Sequence, residues 1–116
     1  MQADTKSINM LQLEALVYLV EERSFSRAAK KMYLSQPSLT KHIRNLEDSL
    51  GAKVVNRASR AFTLTPEGRV VYDYARRILK LREEAMDRVM RVREAEEGLQ
   101  GRSEGLDALR VQARMA

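Results

Sequence analysis

Residues 24–51, SFSRAAKKMYLSQPSLTKHIRNLEDSLG, contain two helix-forming segments that are separated by a tight connection. Ser24 is a residue type that caps the N termini of helices, and apolar side chains then recur at helical spacing across residues 25–32. Ala28 and Ala29 are small enough to let a second helix backbone approach closely. The first segment is therefore predicted to be a short helix that packs tightly against its neighbours.

The second segment carries clear signals for both of its ends. Ser35 can cap the helix, Pro37 lies in the first turn where its missing N–H costs little, and Gly51 is a typical residue after a helix end. One buried face is predicted from four residues spaced by four, three and four positions: Leu39, Ile43, Leu46 and Leu50. The two segments together predict a helix-turn-helix.

The opposite face of the second helix carries polar and cationic groups. At about 100° per residue, Pro37, Lys41 and Arg44 point away from the buried face. Beside this outward face lie Ser38 and His42 on one side, and Gln36 and Thr40 on the other. Such groups reach base edges and phosphates in a DNA major groove. The acids Glu47 and Asp48 come later, where a helix that leaves the groove tolerates negative charge.

The flanking sequence predicts three further elements. A helix over residues 10–23 is favoured by a capping-box pattern of Asn9 and Gln12. Two short β-prone runs, residues 53–57 and 61–64, predict a small hairpin. Thr65-Pro66-Glu67 is a strong helix start, and the helical pattern continues to about residue 97.

The long final helix has an apolar seam, which we define as Val71, Tyr74, Ile78, Leu81, Ala85, Val89 and Val92. A seam of this length needs a partner helix. The partner is either the same helix of a second copy, giving a homodimer, or the amino-terminal helix of the same chain. We expect both, on different parts of the helix.

Composition narrows the classes of function. The chain has 116 residues and a net charge of +5, and residues 23–65 hold nine basic side chains against two acidic ones, a net charge of +7. This basic segment favours a polyanionic partner, although a solvated basic face would show the same charge. With no Cys and one His, the sequence excludes disulfides, thiolate nucleophiles and multi-His metal sites. It has no nucleophile–base pair and no stretch near the ~20 apolar residues of a membrane span. We therefore expect a cytoplasmic protein that is not an enzyme and has no cofactor, no bound metal and no membrane partner.

Residues 11–79 resemble the amino-terminal domain of the LysR-type transcriptional regulators. The landmarks that match, in order and with the spacing of the family, are SFSRAA at 24–29, LSQPSL at 34–39, IRNLE at 43–47, Leu50-Gly51, Arg57, Leu64-Thr65, Glu67-Gly68 and ARRIL at 75–79. The resemblance implies a mainly α winged helix-turn-helix over residues 9–65, with three helices and a two-stranded wing. It also implies a long linker and dimerisation helix over 66–97. Residues 1–8 are then expected to be a disordered tail, and residues 98–116 a flexible tail or the start of an effector-binding domain.

The resemblance implies a sequence-specific, dimeric regulator of transcription that binds double-stranded DNA. The recognition helix, residues 36–50, would enter the major groove, and the wing, residues 53–64, would lie near the backbone or minor groove. The expected base contacts are Gln36, Pro37, Ser38, Thr40 and Lys41. The expected phosphate contacts are Arg27, Lys30, Lys31, Ser35, Arg44, Arg57 and Arg60. Ser35 is equally well explained as a helix cap alone, and Lys30 and Lys31 as solvated charges.

Two copies joined by the linker helix would bind an interrupted inverted repeat. Family members carry a carboxy-terminal domain that binds a small-molecule effector, and we expect the chain as given to bind none. Two other functions fit the same residues. The chain would act as a truncated partner that forms heterodimers with full-length relatives, or as a nucleoid-like binder without sequence preference.

Overall fold

A computed structural model of the protein describes residues 7–57 and 62–103. In these residues the element order is α1 (Met10–Glu22), α2 (Phe25–Lys31), α3 (Gln36–Leu50), β1 (Val55–Asn56), β2 (Thr63–Leu64) and α4 (Pro66–Ser103). The predicted fold class, a mainly α winged helix-turn-helix followed by a long helix, is confirmed. No helix in the described ranges is long and apolar enough to cross a membrane.

The first helix starts with the capping box that the sequence predicts. The Gln12 amide donates to Asn9 Oδ1 at 2.9 Å, and the Asn9 amide donates to Gln12 Oε1 at 3.3 Å. α1 packs against both α2 and α3. Ala28 and Ala29 are buried in α2, so their small side chains allow the close helix approach that a helix-turn-helix needs.

The bounds of α3 are those predicted for the recognition helix. The Ser38 amide donates to the Ser35 hydroxyl oxygen at 3.2 Å, and Gly51 ends the helix with a left-handed φ of 68°. Of the four residues predicted to face inward, Leu39, Ile43 and Leu46 are fully buried and Leu50 packs at the edge of the core. Burial of this face fixes which side of α3 remains exposed to solvent.

The wing is shorter than the sequence predicts. β1 and β2 pair antiparallel, with Val55 opposite Leu64 and Asn56 opposite Thr63. The expected hairpin tip at 58–60 lies outside the described residues, as does residue 61 at the start of the second predicted run. Phe62 packs edge to face on Phe25, with ring centroids 6.1 Å apart, and this contact joins the wing to the start of α2.

The start of α4 is locked to the chain that enters the wing. The Thr65 hydroxyl donates to the Lys53 carbonyl oxygen at 2.6 Å and accepts from the Gly68 amide at 2.9 Å. The Thr65 amide donates to the Val54 carbonyl oxygen at 3.0 Å. A Cβ at Gly68 would overlap that carbonyl oxygen and lie 2.8 Å from its carbon, so only glycine allows α4 to lie this close to Val54.

The last helix is longer than predicted. α4 continues to Ser103, whereas the sequence predicts an end near residue 97. A glycine in an exposed helix costs about 1 kcal/mol relative to Ala, which is too little to end a helix by itself. Gly98 has no neighbouring atom within 4 Å of its would-be Cβ, and the Arg93–Glu97 pair at 3.9 Å supports the preceding turn. The chain divides within α4 into two units, the first ending at Leu79 and the second beginning at Lys80. The predicted tail beyond Ser103 lies outside the described residues.

Candidate nucleic-acid interface

The exposed face of α3 brings five of the predicted contact residues together. One open concavity on this face is lined by Gln36, Pro37, Thr40, Lys41 and Arg44. All of these side chains are exposed except Thr40, which is half-buried. The surface thus joins an amide, a hydroxyl and two cations on the first turns of one helix, which is the set of groups that reads base edges.

The two cations of this surface are unpaired within the described part of the chain. Neither Lys41 nor Arg44 has an acidic partner there, whereas Arg27, Lys31, Lys53 and Arg57 do. A cation with no internal partner keeps its full attraction for an external anion. Lys41 and Arg44 are therefore the two α3 side chains best suited to meet a polyanion.

Two of the predicted contact residues, Ser35 and Ser38, form hydrogen bonds with each other at the amino-terminal turn of α3. Ser35 accepts from the Ser38 amide and donates its hydroxyl hydrogen to Ser38 Oγ at 3.0 Å. Both hydroxyls therefore hold the helix start, and Ser38 is half-buried and does not line the concavity. Ser35 is the cap of this helix, and its exposed side chain keeps a lone pair for a further donor.

A second basic surface lies on α2, around an acid from α1. The Arg27 guanidinium donates to the Glu22 carbonyl oxygen at 2.6 Å and lies 3.7 Å from Glu22 Oε1, and the Lys31 ammonium lies 3.8 Å from Glu22 Oε2. Lys30 is exposed, with no acidic partner among residues 7–57 and 62–103. Glu22 thus neutralises part of this surface and orients two of its cations.

Glu47 is the residue whose role the sequence reasoning missed. The sequence places it on the part of the helix that leaves the groove, where negative charge is tolerated, but its side chain is only 4% exposed. Its Oε2 accepts from the Val54 amide at 2.9 Å and from the Val55 amide at 3.4 Å. Its Oε1 lies 3.7 Å from the Arg57 guanidinium. Glu47 therefore fastens the first wing strand to the recognition helix.

This arrangement also changes the role expected of Arg57. Besides its pairing with Glu47, the Arg57 guanidinium lies 5.8 Å from the centre of the Phe25 ring, so it holds the wing against two helices. Arg60, the other basic residue expected at the wing, lies outside the described residues. The sequence signals for Glu47 are its place directly after the buried Leu46 and its position in the IRNLE landmark at 43–47, neither of which assigns it a contact.

The predicted apolar seam of α4 falls into two parts. In the first unit Val71 packs against the core of its own chain, while Tyr74 and Ile78 are 53% and 37% exposed. In the second unit Leu81, Ala85, Val89 and Val92 are all exposed. Three other large apolar side chains of α4, outside the seam, are also exposed: Val70, Met86 and Met90. Among the described residues, no cluster of three His, Asp or Glu side chains is arranged to hold a metal ion.

Comparison with known proteins identifies this architecture. Residues 10–69 match the bacterial regulatory helix-turn-helix proteins of the lysR family. Over 73 residues the chain is 40% identical to the HTH-type transcriptional regulator CysL of Bacillus subtilis, and the match covers 63% of this chain and 24% of CysL. The chain spans about a quarter of the length of such relatives.

Solved structures of relatives match as well. The DNA-binding domain of BenM, a regulator from Acinetobacter baylyi, was solved in complex with catB site 1 DNA. It is 37% identical to this chain with a TM-score of 0.70, and the match covers 72% of this chain and 93% of that one. Vibrio fischeri DarR in complex with DNA gives 29% identity and a TM-score of 0.71, covering 77% of this chain and 30% of DarR.

Proposed function

Because the chain belongs to the lysR family of bacterial regulatory helix-turn-helix proteins, we propose that it is the DNA-reading part of a transcriptional regulator. It binds double-stranded DNA sequence-specifically, with α3 in the major groove and the wing beside the backbone. Two copies joined through α4 bind an interrupted inverted repeat.

The observation that carries this proposal is the exposed face of α3. Gln36, Thr40, Lys41 and Arg44 line one surface, and both cations there lack an acidic partner in the described residues. Arg and Lys suit guanine and phosphate oxygens, and Gln suits adenine. The structures of two relatives with the same fold were solved in complex with DNA, which supports the proposal that this face of α3 contacts bases.

Electrostatics support the same assignment. The net charge of +7 over residues 23–65 coincides with α2, α3 and the wing, and the remaining sequence contributes little net charge. The free amides at the start of α3 add a positive dipole end near the same surface. Phosphate contacts made by Arg27, Lys30 and Arg44 would hold the domain in register while α3 reads the bases.

Pairing of two copies is proposed from the second part of the α4 seam. Leu81, Val89 and Val92 are 63%, 58% and 56% exposed, which is unusual for apolar residues that recur on one helix face. A second α4 would cover them in a coiled-coil-like contact. Because this interface would hold two DNA-binding domains together, the DNA must then carry two half-sites at a fixed spacing.

The proposed activity is binding rather than catalysis, in the cytoplasm, where bacterial DNA lies. No cofactor is needed for it, because the contacts are hydrogen bonds and ion pairs made by the chain itself. The relatives that match are named as transcriptional regulators.

The test is Lys41→Ala, measured on a preferred DNA sequence and on a duplex of arbitrary sequence. If Lys41 reads a base, the variant loses about 1–3 kcal/mol of binding free energy on the preferred sequence and much less on the arbitrary one. Lys80→Ala is the matched control, because it removes the same charge from an exposed position of α4 outside the basic segment.

Equal losses on both duplexes, with a salt slope reduced by about one, would show that Lys41 touches only phosphate. Equal affinity of the wild-type chain for all duplexes would favour the nucleoid-like binder instead. A chain that binds no DNA alone but forms stable heterodimers with a full-length relative would favour the truncated partner.

A further inference from the structure

Tyr33, in the turn between α2 and α3, is the most exposed large hydrophobic residue among the described residues of the helix-turn-helix. Its exposed fraction is 95%, and its φ of 58° is left-handed. Left-handed backbone is uncommon for a residue other than Gly, Asn or Asp. Neither the burial of its ring nor its backbone conformation explains a tyrosine at this position.

The turn itself has a known geometry that favours a different residue. The Leu34 amide donates to the Ala29 carbonyl oxygen at 2.9 Å, and the Tyr33 amide donates to the Lys30 carbonyl oxygen at 3.1 Å. These two bonds make a Schellman motif, in which the residue at the position of Tyr33 is usually Gly. Both bonds are made by backbone atoms, and only the amide of Tyr33 takes part, so its side chain contributes nothing to them.

The side chain of Tyr33 instead belongs to a basic surface. One surface depression is lined by Tyr33 together with Glu22, Arg27, Lys30 and Lys31. Three of these residues are cationic, and Glu22 holds two of them in place. A phenol among cations is a neutral hydrogen-bond donor placed where an anion is attracted.

Tyr33 is close in sequence to the base-reading part of α3, so the basic surface around it is suited to contact the DNA backbone. It lies two residues before Ser35, the cap of α3, and the first turns of α3 carry the base-reading surface. Tyrosine hydroxyls are among the groups that donate to phosphate oxygens in protein–DNA complexes. We propose that the Tyr33 hydroxyl donates a hydrogen bond to a DNA phosphate, within a backbone-contact site formed with Arg27, Lys30 and Lys31. This inference rests on the proposed function, because it requires α3 to approach DNA.

The test uses the full chain and two variants at this position. Tyr33→Phe removes only the hydroxyl, and we expect a loss of about tenfold in affinity, as for one hydrogen bond to a charged group. Because a phosphate carries no sequence information, the loss is the same on a preferred sequence and on a duplex of arbitrary sequence. Because the hydroxyl is neutral, the dependence of affinity on salt is unchanged, whereas Lys30→Gln lowers the salt slope by about one.

Tyr33→Gly separates binding from folding. Glycine adopts the left-handed backbone freely, so the melting temperature of this variant is equal to or above that of the wild type. Its affinity for DNA falls at least as far as that of Tyr33→Phe. A more stable protein that binds DNA less well cannot be explained by damage to the fold.

Three results for the Tyr33 variants would overturn the inference. Wild-type affinity of Tyr33→Phe would show that the hydroxyl makes no contact, and a loss confined to the preferred sequence would assign it to a base. Wild-type affinity of both variants, with transcription by RNA polymerase lost in vitro, would assign Tyr33 to a protein partner. If the wild-type chain bound all duplexes equally, only the proposed sequence-specific reading would be refuted, because the phosphate contact of Tyr33 is still measurable on the arbitrary duplex. A wild-type chain that binds no duplex would refute both the proposed DNA binding and the phosphate contact.

Discussion

Replacement of Glu47 tests whether this carboxylate holds the wing on the recognition helix. Glu47→Ala removes the acceptor of the buried Val54 amide and the charge beside Arg57. A buried donor left without its partner costs about 1–3 kcal/mol. Lys53 also lies 3.8 Å from Glu47, but its side chain is 74% exposed, so its ion pair adds little. We therefore expect a free energy of unfolding about 2–3 kcal/mol lower than that of the wild type.

Glu47→Gln divides this loss into its hydrogen-bonding and charge contributions. The amide oxygen of Gln still accepts from Val54, so only the attraction to Arg57 and Lys53 is lost, and we expect a cost of about 1 kcal/mol. Urea denaturation followed by circular dichroism measures both variants. Glu84→Ala, an exposed acid on α4, is the control and should stay within about 0.5 kcal/mol of the wild type.

Two outcomes would refute the reasoning about Glu47. If Glu47→Ala cost no more than the Glu84→Ala control, the carboxylate would not hold the wing. If Glu47→Gln were as destabilising as Glu47→Ala, the charge rather than the bond to the Val54 amide would carry the interaction.

Four further substitutions, in two matched pairs, test the contacts of α4. Gly68→Ala should lower the free energy of unfolding by more than about 2 kcal/mol, because its Cβ would overlap the Val54 carbonyl, whereas Gly98→Ala should raise it by about 0.5–1 kcal/mol. Equal effects of these two changes would contradict the close approach at Gly68. Leu81→Glu places a charge in the proposed dimer seam and should convert dimers to monomers in sedimentation experiments, while Lys80→Glu, off the seam, should not. A dimer that survives Leu81→Glu would show that the copies pair elsewhere, and a wild-type chain that is itself monomeric would contradict the pairing.

Much of the fold is predictable because its signals are local. The cap at Ser35, the inward spacing of Leu39 to Leu50 and the stop at Gly51 act within one segment, and α3 has the predicted bounds. The same spacing places Lys41 and Arg44 outward, where the structure exposes them. Such features depend on helix periodicity, which the sequence displays directly.

The features that were missed depend on contacts between separate segments. Glu47 is buried because the turn after Gly51 brings the Val54 and Val55 amides back to the helix. No local sequence pattern predicts this contact. The sequence predicts the end of α4 too early, since the helix penalty of about 1 kcal/mol for one glycine is too small to end a helix by itself. Tyr33 carried no signal of left-handed backbone, because that conformation is usually marked by glycine.

The most direct test of DNA reading by α3 is an unbiased selection of bound sequences from random duplexes by the purified chain. Recovery of an interrupted inverted repeat is the expected result, since it requires both a base-reading head and a fixed pairing of two copies. A single half-site would support the reading head and contradict the pairing. A flat profile, with no sequence enriched, would contradict sequence-specific recognition itself.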